Sequence, residues 1–328
     1  MSINEIIIYV MVVFMVLGAI DKCIGNKFGL GEQFEEGIMA MGSLAVAMVG
    51  VICLAPVLAD VLRPIVVPVF NILGADPAMF AGSLLANDMG GAPLALELAK
   101  DPNAGLFGGL IVGAMMGPTI VFIIPVALGI IEKEDQKFLA TGILAGIITI
   151  PIGAFVGGLV AGFEVMMVLR NLVPIIIFAV VIALGLLKFE NAMIKGFTYF
   201  GKGVVIVITL GLAAAIVEAL TGIVVIPGMK PISEGIEIVG DIAIVLAGAF
   251  PLVFVITKVF NKPLMALGKV LGMNDVSAAF VFGDHLGFTA GFNSNMITPM
   301  IVAKLVGGIT AVLLAMVIAN KTLKKENV

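Results

Sequence analysis

Two carboxylates stand where a membrane helix should be most apolar. Asp88 lies in SLLANDMGGAPLA and Asp284 in FVFGDHLGF, and each is followed by a glycine three residues later, Gly91 and Gly287. Around them gather Ser83, Asn87, His285, Thr289, Asn293, Ser294 and Asn295, with Phe282, Phe288 and Phe292. An ionised carboxylate at mid-bilayer costs about 2.5–3.5 kcal/mol or more, so two at matching positions point to a use for the charge. A small cation suits them. The carboxylates would hold its charge, the amide and hydroxyl groups would pair with a hydroxyl on it, and a phenyl face can hold an ammonium group. The candidate binding residues are therefore Asp88, Asp284, Asn87, His285, Thr289, Asn293, Asn295, Phe282 and Phe288. Each also has a plainer reading. The carboxylates can satisfy broken-helix amides or pair with Lys304, the Asn and Thr groups can cap half-helices, His285 can fill a hydrogen bond, and the phenylalanines can simply pack.

These residues need elements that place them in the membrane. Of 328 residues, 61% are hydrophobic and 12% charged, and the mean hydropathy is +1.23. A helix needs about 20 apolar residues to cross the hydrocarbon. Such runs predict an all-α polytopic membrane protein with about ten spans: 6–24, 38–61, 77–99, 105–131, 138–163, 172–188, 199–220, 236–257, 275–295 and 297–320. Amphipathic pieces at 64–74 and 262–272 read as short surface or partly entering helices. The first span lacks the basic start and small-residue cleavage site of a signal peptide, so it reads as retained. Asp76-Pro77 marks a helix start, and Gly90-Gly91-Ala92-Pro93 interrupts that helix. Irregular backbone at such depth survives only when buried in protein or lining a wet cavity. Gly105, Gly109, Gly113 and Gly117 recur every fourth residue, and Gly153/Gly157 and Gly158/Gly162 repeat the spacing. Those stripes predict close helix packing. The cysteines, Cys23 and Cys53, offer neither a disulfide framework nor a metal spacing, and no cofactor or catalytic motif is expected.

Loop charges give an orientation. With the N-terminus inside, the cytoplasmic side holds Arg63, Lys133, Lys137, Lys188, Lys195, Lys202, Lys258, Lys262, Lys269, Lys321, Lys324 and Lys325. Lys22, Lys27, Lys100, Arg170 and Lys230 fall outside. This positive-inside asymmetry predicts two cytoplasmic termini. The halves also resemble each other: Asp88 aligns with Asp284, Pro56 with Pro251 and Gly74 with Gly272. The expected organisation is a first repeat over 1–131, two linking spans over 132–198, and a second repeat over 199–328. Broken helices at 77–99 and 275–295 would meet at the midplane, as in many transporters. Ten spans give parallel repeats; a re-entrant hairpin at either break would invert them.

Three long segments add a resemblance: MSINEIIIYVMVVFMVLGAIDKCIGNKFGLGEQFEEGIMAMGSLA, ADPAMFAGSLLANDMGGAPLA and FGDHLGFTAGFNSNMI. Together they resemble the EutH family of ethanolamine-utilisation membrane proteins. The resemblance implies a permease of the bacterial inner membrane that feeds ethanolamine to a cobalamin-dependent lyase pathway. The implied partners are ethanolamine in its ammonium form and the lipid bilayer, with no nucleic acid; a homo-oligomer is left open. No ligand motif is carried over from the family, so the site rests on depth, charge and duplication. A membrane-bound receptor without transport fits the duplicated, midplane-polar design less well, and two other readings compete. One is a transporter of another small amine or cation, such as choline or sodium. The other is an intramembrane aspartyl protease, whose two aspartates would share a proton. Against the protease, Val281-Phe282-Gly283-Asp284 departs from Gly-x-Gly-Asp, and Asp88 follows Asn rather than Tyr.

Overall fold

The structure, a computed structural model, describes residues 1–124, 136–270 and 288–326, and among these every regular element is helical. Helix α1 spans Ile3–Cys23 and starts on a capping box: the Glu5 amide donates to Ser2 Oγ (3.2 Å) and the Ser2 amide to Glu5 Oε2 (2.7 Å). Its last turn carries Asp21, whose carboxylate accepts the amides of Phe28, Leu30 and Gly31 and so shapes the turn into α2. Helix α2 runs unbroken over Leu30–Ile72 through Pro56, Pro64 and Pro68. The expected separate helix at 64–74 is thus the end of α2. Val66 and Phe70 bury one face of it, so core packing holds the proline-bearing turns helical.

The segment expected to cross at 77–99 does not cross. Helix α3 (Ala78–Leu84) enters, residues 85–86 are extended, Asn87–Met89 form a single 3-10 turn, and α4 (Gly91–Leu98) leads back. The proof is at the base. Lys100 N and Asp101 N both donate to Asp76 Oδ2 at 3.0 Å, whereas a continuous helix would part these residues by about 35 Å. The break turns the chain because Gly90 takes φ +90°, a conformation that a side chain resists. The segment is a re-entrant hairpin. Helical and extended rises put its tip roughly 15 Å from its base, about half the hydrocarbon thickness.

After Asp101 the chain enters again as α5 (Pro102–Leu106), winds as a π-helix over Phe107–Val112, breaks at residues 113–115, makes a turn at Met116–Pro118, and resumes π-winding over Thr119–Ile123. Four long elements follow: α6 (Gln136–Val160), α7 (Val165–Thr221), α8 (Ile232–Val270) and α9 (Ile297–Glu326). Helix α7 holds two arms folded at Phe189 (φ −137°, ψ 42°), because Met193 packs on Gly185 across the fold. Seven helices among the described residues are long and apolar enough to cross a membrane: Ile3–Cys23, Leu30–Ile72, Gly142–Val160, Val165–Phe189, Ala192–Thr221, Ile232–Val259 and Ser294–Ile318. Of the remaining expected spans, 77–99 is the hairpin, 105–131 is the interrupted segment as far as it is described, and most of 275–295 lies outside the described residues.

Contacts between helices fix their directions. Gly18 lies against Pro251, Gly29 against Phe254 and Gly248 against Met11, so α1 and α8 run parallel. Gly37 meets Ala247 and Gly235 meets Val49, so α2 and α8 run antiparallel. Gly157 meets Pro299 and Ala303, and Gly153 meets Ala303 and Gly307, so α6 and α9 are antiparallel. Helix α9 starts beside the start of α1: the Asn4 carboxamide donates to the Asn295 carbonyl (2.9 Å) and accepts from Thr298 N (3.0 Å) and Oγ1 (2.6 Å). The chain therefore begins at one end of the bundle and finishes at the other, unlike the expected pair of termini on one side. The hairpin base, the 161–164 turn and the 222–231 loop share the end where α1 starts, tied by Asp76 N to Asn171 Oδ1 (2.7 Å) and by Lys230 to Glu97 (2.7 Å). Matched residues Pro56 and Pro251 sit on antiparallel helices, while 102–124 and α9 both run antiparallel to α6.

Candidate functional site

The hairpin tip is where the described residues gather unusual backbone and polar side chains. Glycines let the hairpin approach the interrupted segment backbone to backbone. An added Cβ at Gly82 would lie 1.9 Å from the Gly108 carbonyl oxygen, and one at Gly117 would lie 2.1 Å from that of Leu85. Gly109 packs on Ala92, and Gly105 on Leu96 and Ala99. The glycine stripe thus seats the hairpin. Opposite this seat, the tip at Gly90 lies on Val51 of α2. Asn87 N donates to the Gly113 carbonyl at 3.0 Å, which joins the tip to the break at 113–115. Ala114, next in that break, packs in one apolar cluster with Met11, Ala249, Ala290, Ile297 and Met300. Two interruptions therefore meet, the tip and the 113–115 break between two π-helical stretches, and the helical residues 288–292 share an apolar cluster with the second. π-Helical winding inside a helix recurs at functional sites.

The side chains in this region divide by what they already do. Ser83 is buried and its hydroxyl donates to the Met79 carbonyl (2.6 Å), so it serves its own helix. Asn87 is 0% exposed, and neither its carboxamide oxygen nor its nitrogen has a hydrogen-bond partner among the described residues. Thr289 is equally buried and its hydroxyl is likewise unpaired. Asp88 is half-buried beside Asn87 at the tip and makes an interaction of its own. Phe288 is buried and stacks on Phe292, ring centroids 5.4 Å apart and planes 22° apart. Asn293 Oδ1 accepts from Asn295 N (3.1 Å), which caps the short turn before α9, and Asn295 is exposed.

Of the expected site residues, then, Asn87 and Asp88 lie at the tip, Thr289 is next in sequence to Ala290 of the cluster that holds Ala114, and Phe288 packs in the main core. Asn293 and Asn295 are occupied with holding the start of α9. Asp284, His285 and Phe282 lie outside the described residues. Lys304 is half-buried, one residue beyond the Ala303 that packs on Gly153 and Gly157, and it too makes an interaction. Among the described residues no group of His, Cys, Asp and Glu is placed to hold a metal ion.

Two features went unread in the sequence. The first is the break at 113–115, signalled by GAMMGP over residues 113–118, where a glycine at each end and a proline interrupt an otherwise continuous span. The second is the polar cleft of about 440 Å³ at the hairpin base, lined in part by Asp76, Lys100, Asp101, Glu164, Arg170 and Asn171. Asp76 was legible only as a helix start. In the structure it also clasps both arms, with Oδ1 accepting Ala78 N (2.9 Å) while Oδ2 takes the amides of Lys100 and Asp101.

The comparison with known families decides where this architecture belongs. The profile described as "Ethanolamine utilisation protein, EutH" matches residues 3–279 and 275–318. The chain belongs to the EutH family. Among EutH relatives, the "Probable ethanolamine permease EutH" of Listeria monocytogenes is 64% identical, over 99% of this chain and 97% of its own length. The protein of the same description from Escherichia coli is 47% identical, over 98% of this chain and 97% of its own. A Bacillus subtilis protein, "Uncharacterized protein YxeR", is 48% identical over 95% of this chain and 94% of its own. No solved structure matches.

Proposed function

We propose that the chain is a permease of the bacterial plasma membrane that takes up ethanolamine as its ammonium form. Membership of the EutH family, with relatives described as probable ethanolamine permeases, supports the substrate. The observation that carries the mechanism is the hairpin tip: an acidic residue, Asp88, beside a buried amide, Asn87, that has no partner among the described residues, at the turn of a hairpin whose arms are as long as half a crossing. A carboxylate there favours an ammonium group, and the ends of broken helices present backbone dipoles to the same place. Asp284, by its matching sequence position, is taken as the second carboxylate, and His285 and Phe282 as its neighbours. Nothing in this reading requires bond making, so the protein acts as a carrier rather than an enzyme. The two repeat units, 1–131 and 199–328 around 132–198, remain part of the proposal, with α2 and α8 as their antiparallel members.

Orientation follows from the hairpin. Because 77–99 returns to its own side, Lys22 and Lys27 join the lysine-rich end of the bundle, and Arg63 moves to the end that holds Lys100, Arg170 and Lys230. The asymmetry sharpens, and the positive-inside rule now puts the N-terminus and the hairpin base outside, with the C-terminus in the cytoplasm. Substrate then meets the tip from outside, past the cleft at Asp76. An impermeant thiol reagent tests this in intact cells. Native Cys23, exposed at the lysine-rich end, should be protected, and a cysteine placed at Asn103 in a Cys23→Ala background should label. The reverse pattern contradicts the orientation.

Uptake of labelled ethanolamine into proteoliposomes tests the permease itself. Saturable uptake that exceeds leakage through protein-free vesicles is expected, and uptake equal to leakage contradicts it. Neutral amine crosses lipid unaided, and its fraction falls about tenfold with each unit of acidification, as for any base below its pKa. A deletion strain on limiting ethanolamine should therefore fall further behind its parent as external pH falls, until protonation of the carboxylates ends binding. A defect that is constant with pH, or worst in alkali, argues that another species is carried.

A further inference from the structure

We infer that the Asn87 carboxamide and the Thr289 hydroxyl form a hydroxyl-reading pair that makes the substrate's hydroxyl a requirement for tight binding. The inference rests on the permease reading and narrows it to which part of the ligand each group recognises. It starts from an accounting of polar side chains. Within the hairpin and the second break, the Ser83 hydroxyl is spent on Met79, the Asn293 oxygen on Asn295, and the Thr298 hydroxyl on Asn4. In the interrupted segment Thr119 bonds the Met115 carbonyl, and in α6 Thr149 bonds the carbonyls of Ala145, Gly146 and Gly307. Against that background, both polar side-chain atoms of Asn87 and the Thr289 hydroxyl are buried without a partner among the described residues. Buried polar groups are nearly always satisfied, so these two residues, linked through Gly113 and the cluster that holds Ala114 and Ala290, call for an occupant. Asn26 Oδ1 is unpaired among the described residues as well, but it sits in the turn after α1, where the neighbouring Asp21 carboxylate is already taken up by the amides of Phe28, Leu30 and Gly31.

The chemistry of the pair matches an alcohol. A hydroxyl donates once and accepts through its lone pairs. The Asn87 oxygen can accept the substrate's O–H, while the Asn87 N–H₂ or the Thr289 O–H donates to the substrate's oxygen. The Asn87 side chain stands on a fixed backbone, because its own amide is bonded to Gly113. Asp88, the next residue in the chain, is the carboxylate assigned to the ammonium end in the permease reading, and adjacent positions for the two groups suit a short amino alcohol. An amine without the hydroxyl would leave these groups buried and unpaired. That costs roughly ten- to hundredfold in affinity for each group left unpaired.

Competition against labelled ethanolamine in proteoliposomes tests this, with ethylamine as the analogue that keeps the ammonium and loses the hydroxyl. In the unmodified protein ethylamine should compete at least about tenfold more weakly than ethanolamine. Asn87→Leu and the nearly isosteric Thr289→Val should each weaken ethanolamine towards the ethylamine level and leave the inhibition constant of ethylamine unchanged. Thr289→Val keeps the test valid if Asn87→Leu fails to fold, because it preserves shape and removes only the hydroxyl. Equal competition by the two amines in the unmodified protein, or an unchanged ratio in both variants, overturns the inference while ethanolamine uptake stands. No ethanolamine uptake at all overturns the permease reading and this inference with it.

Discussion

The first and second polar stretches look alike in sequence, yet their side chains serve different ends. At the hairpin, Asn87 is buried with its carboxamide unspent and Asp88 stands half-buried beside it. Before α9, Asn293 caps a turn, the exposed Asn295 gives its carbonyl to Asn4, and Thr298 is bound by the same Asn4. Among the described residues of that stretch, Thr289 resembles Asn87 in being buried without a partner. Polarity at a helix break therefore comes in two kinds. One kind repairs the backbone that the break exposes, as broken helices in lipid require. The other remains available to a ligand, and burial without a partner is what separates it from the first.

Substitutions at the two regions should separate these kinds. Asp88→Asn should have the largest effect, cutting ethanolamine uptake by about a hundredfold or more while the protein still inserts, because a desolvated carboxylate is lost opposite a cation. Uptake near the unmodified rate would reduce Asp88 to a structural residue. Gly82→Ala comes next, since its Cβ would meet the Gly108 carbonyl at 1.9 Å and unseat the hairpin. Overpacking of that kind costs about 1–3 kcal/mol or more, and a fall in thermal stability together with uptake checks it. Asp76→Ala should be milder, because Lys100 and Asp101, two of the three residues whose amides it accepts, line an open cleft where those amides can turn to water. A loss of about 1–2 kcal/mol of stability with a partial loss of uptake is expected. Asn293→Ala should be smallest, about 1 kcal/mol of stability with uptake changed less than about twofold. A large uptake defect there would erase the distinction between the two regions.

Much of this was legible in the sequence, and the gaps have physical causes. Hydropathy marks the long crossings because about 20 apolar residues can do little else, and each of the seven apolar helices overlaps an expected span. It also marks 77–99, but window averages cannot tell one 23-residue crossing from two half-crossings folded at Asn87–Gly90. The deciding contact, Asp76 with Lys100 and Asp101, links residues that no local pattern pairs. Parity then carried the error back to the chain before the hairpin: with 77–99 read as a crossing, the N-terminus, Lys22, Lys27 and Arg63 are assigned to the sides opposite to those proposed from the hairpin. For the site, depth and charge singled out Asn87 and Asp88, which stand at the hairpin turn, and Thr289, which lies in the short helical stretch 288–292. Composition could not show that Ser83 and Asn293 are spent locally, because Ser and Asn side chains suit capping and ligand binding equally well. Helix α2 taught the opposite lesson: three prolines argued for a boundary that burial of Val66 and Phe70 overrides.

The whole account depends on the hairpin returning to its own side, and one distance tests that. Asn71 and Lys100 are both exposed, and the Lys100 ammonium donates to Asn71 Oδ1 at 2.5 Å. Cysteines at these two positions, spin-labelled in the reconstituted protein, should report a separation within about 20 Å, allowing for label arms on Cβ atoms that lie much closer. A separation of about 35 Å or more, the length of an unbroken helix over 77–99, would contradict the re-entrant hairpin, and with it the orientation and the mid-membrane site.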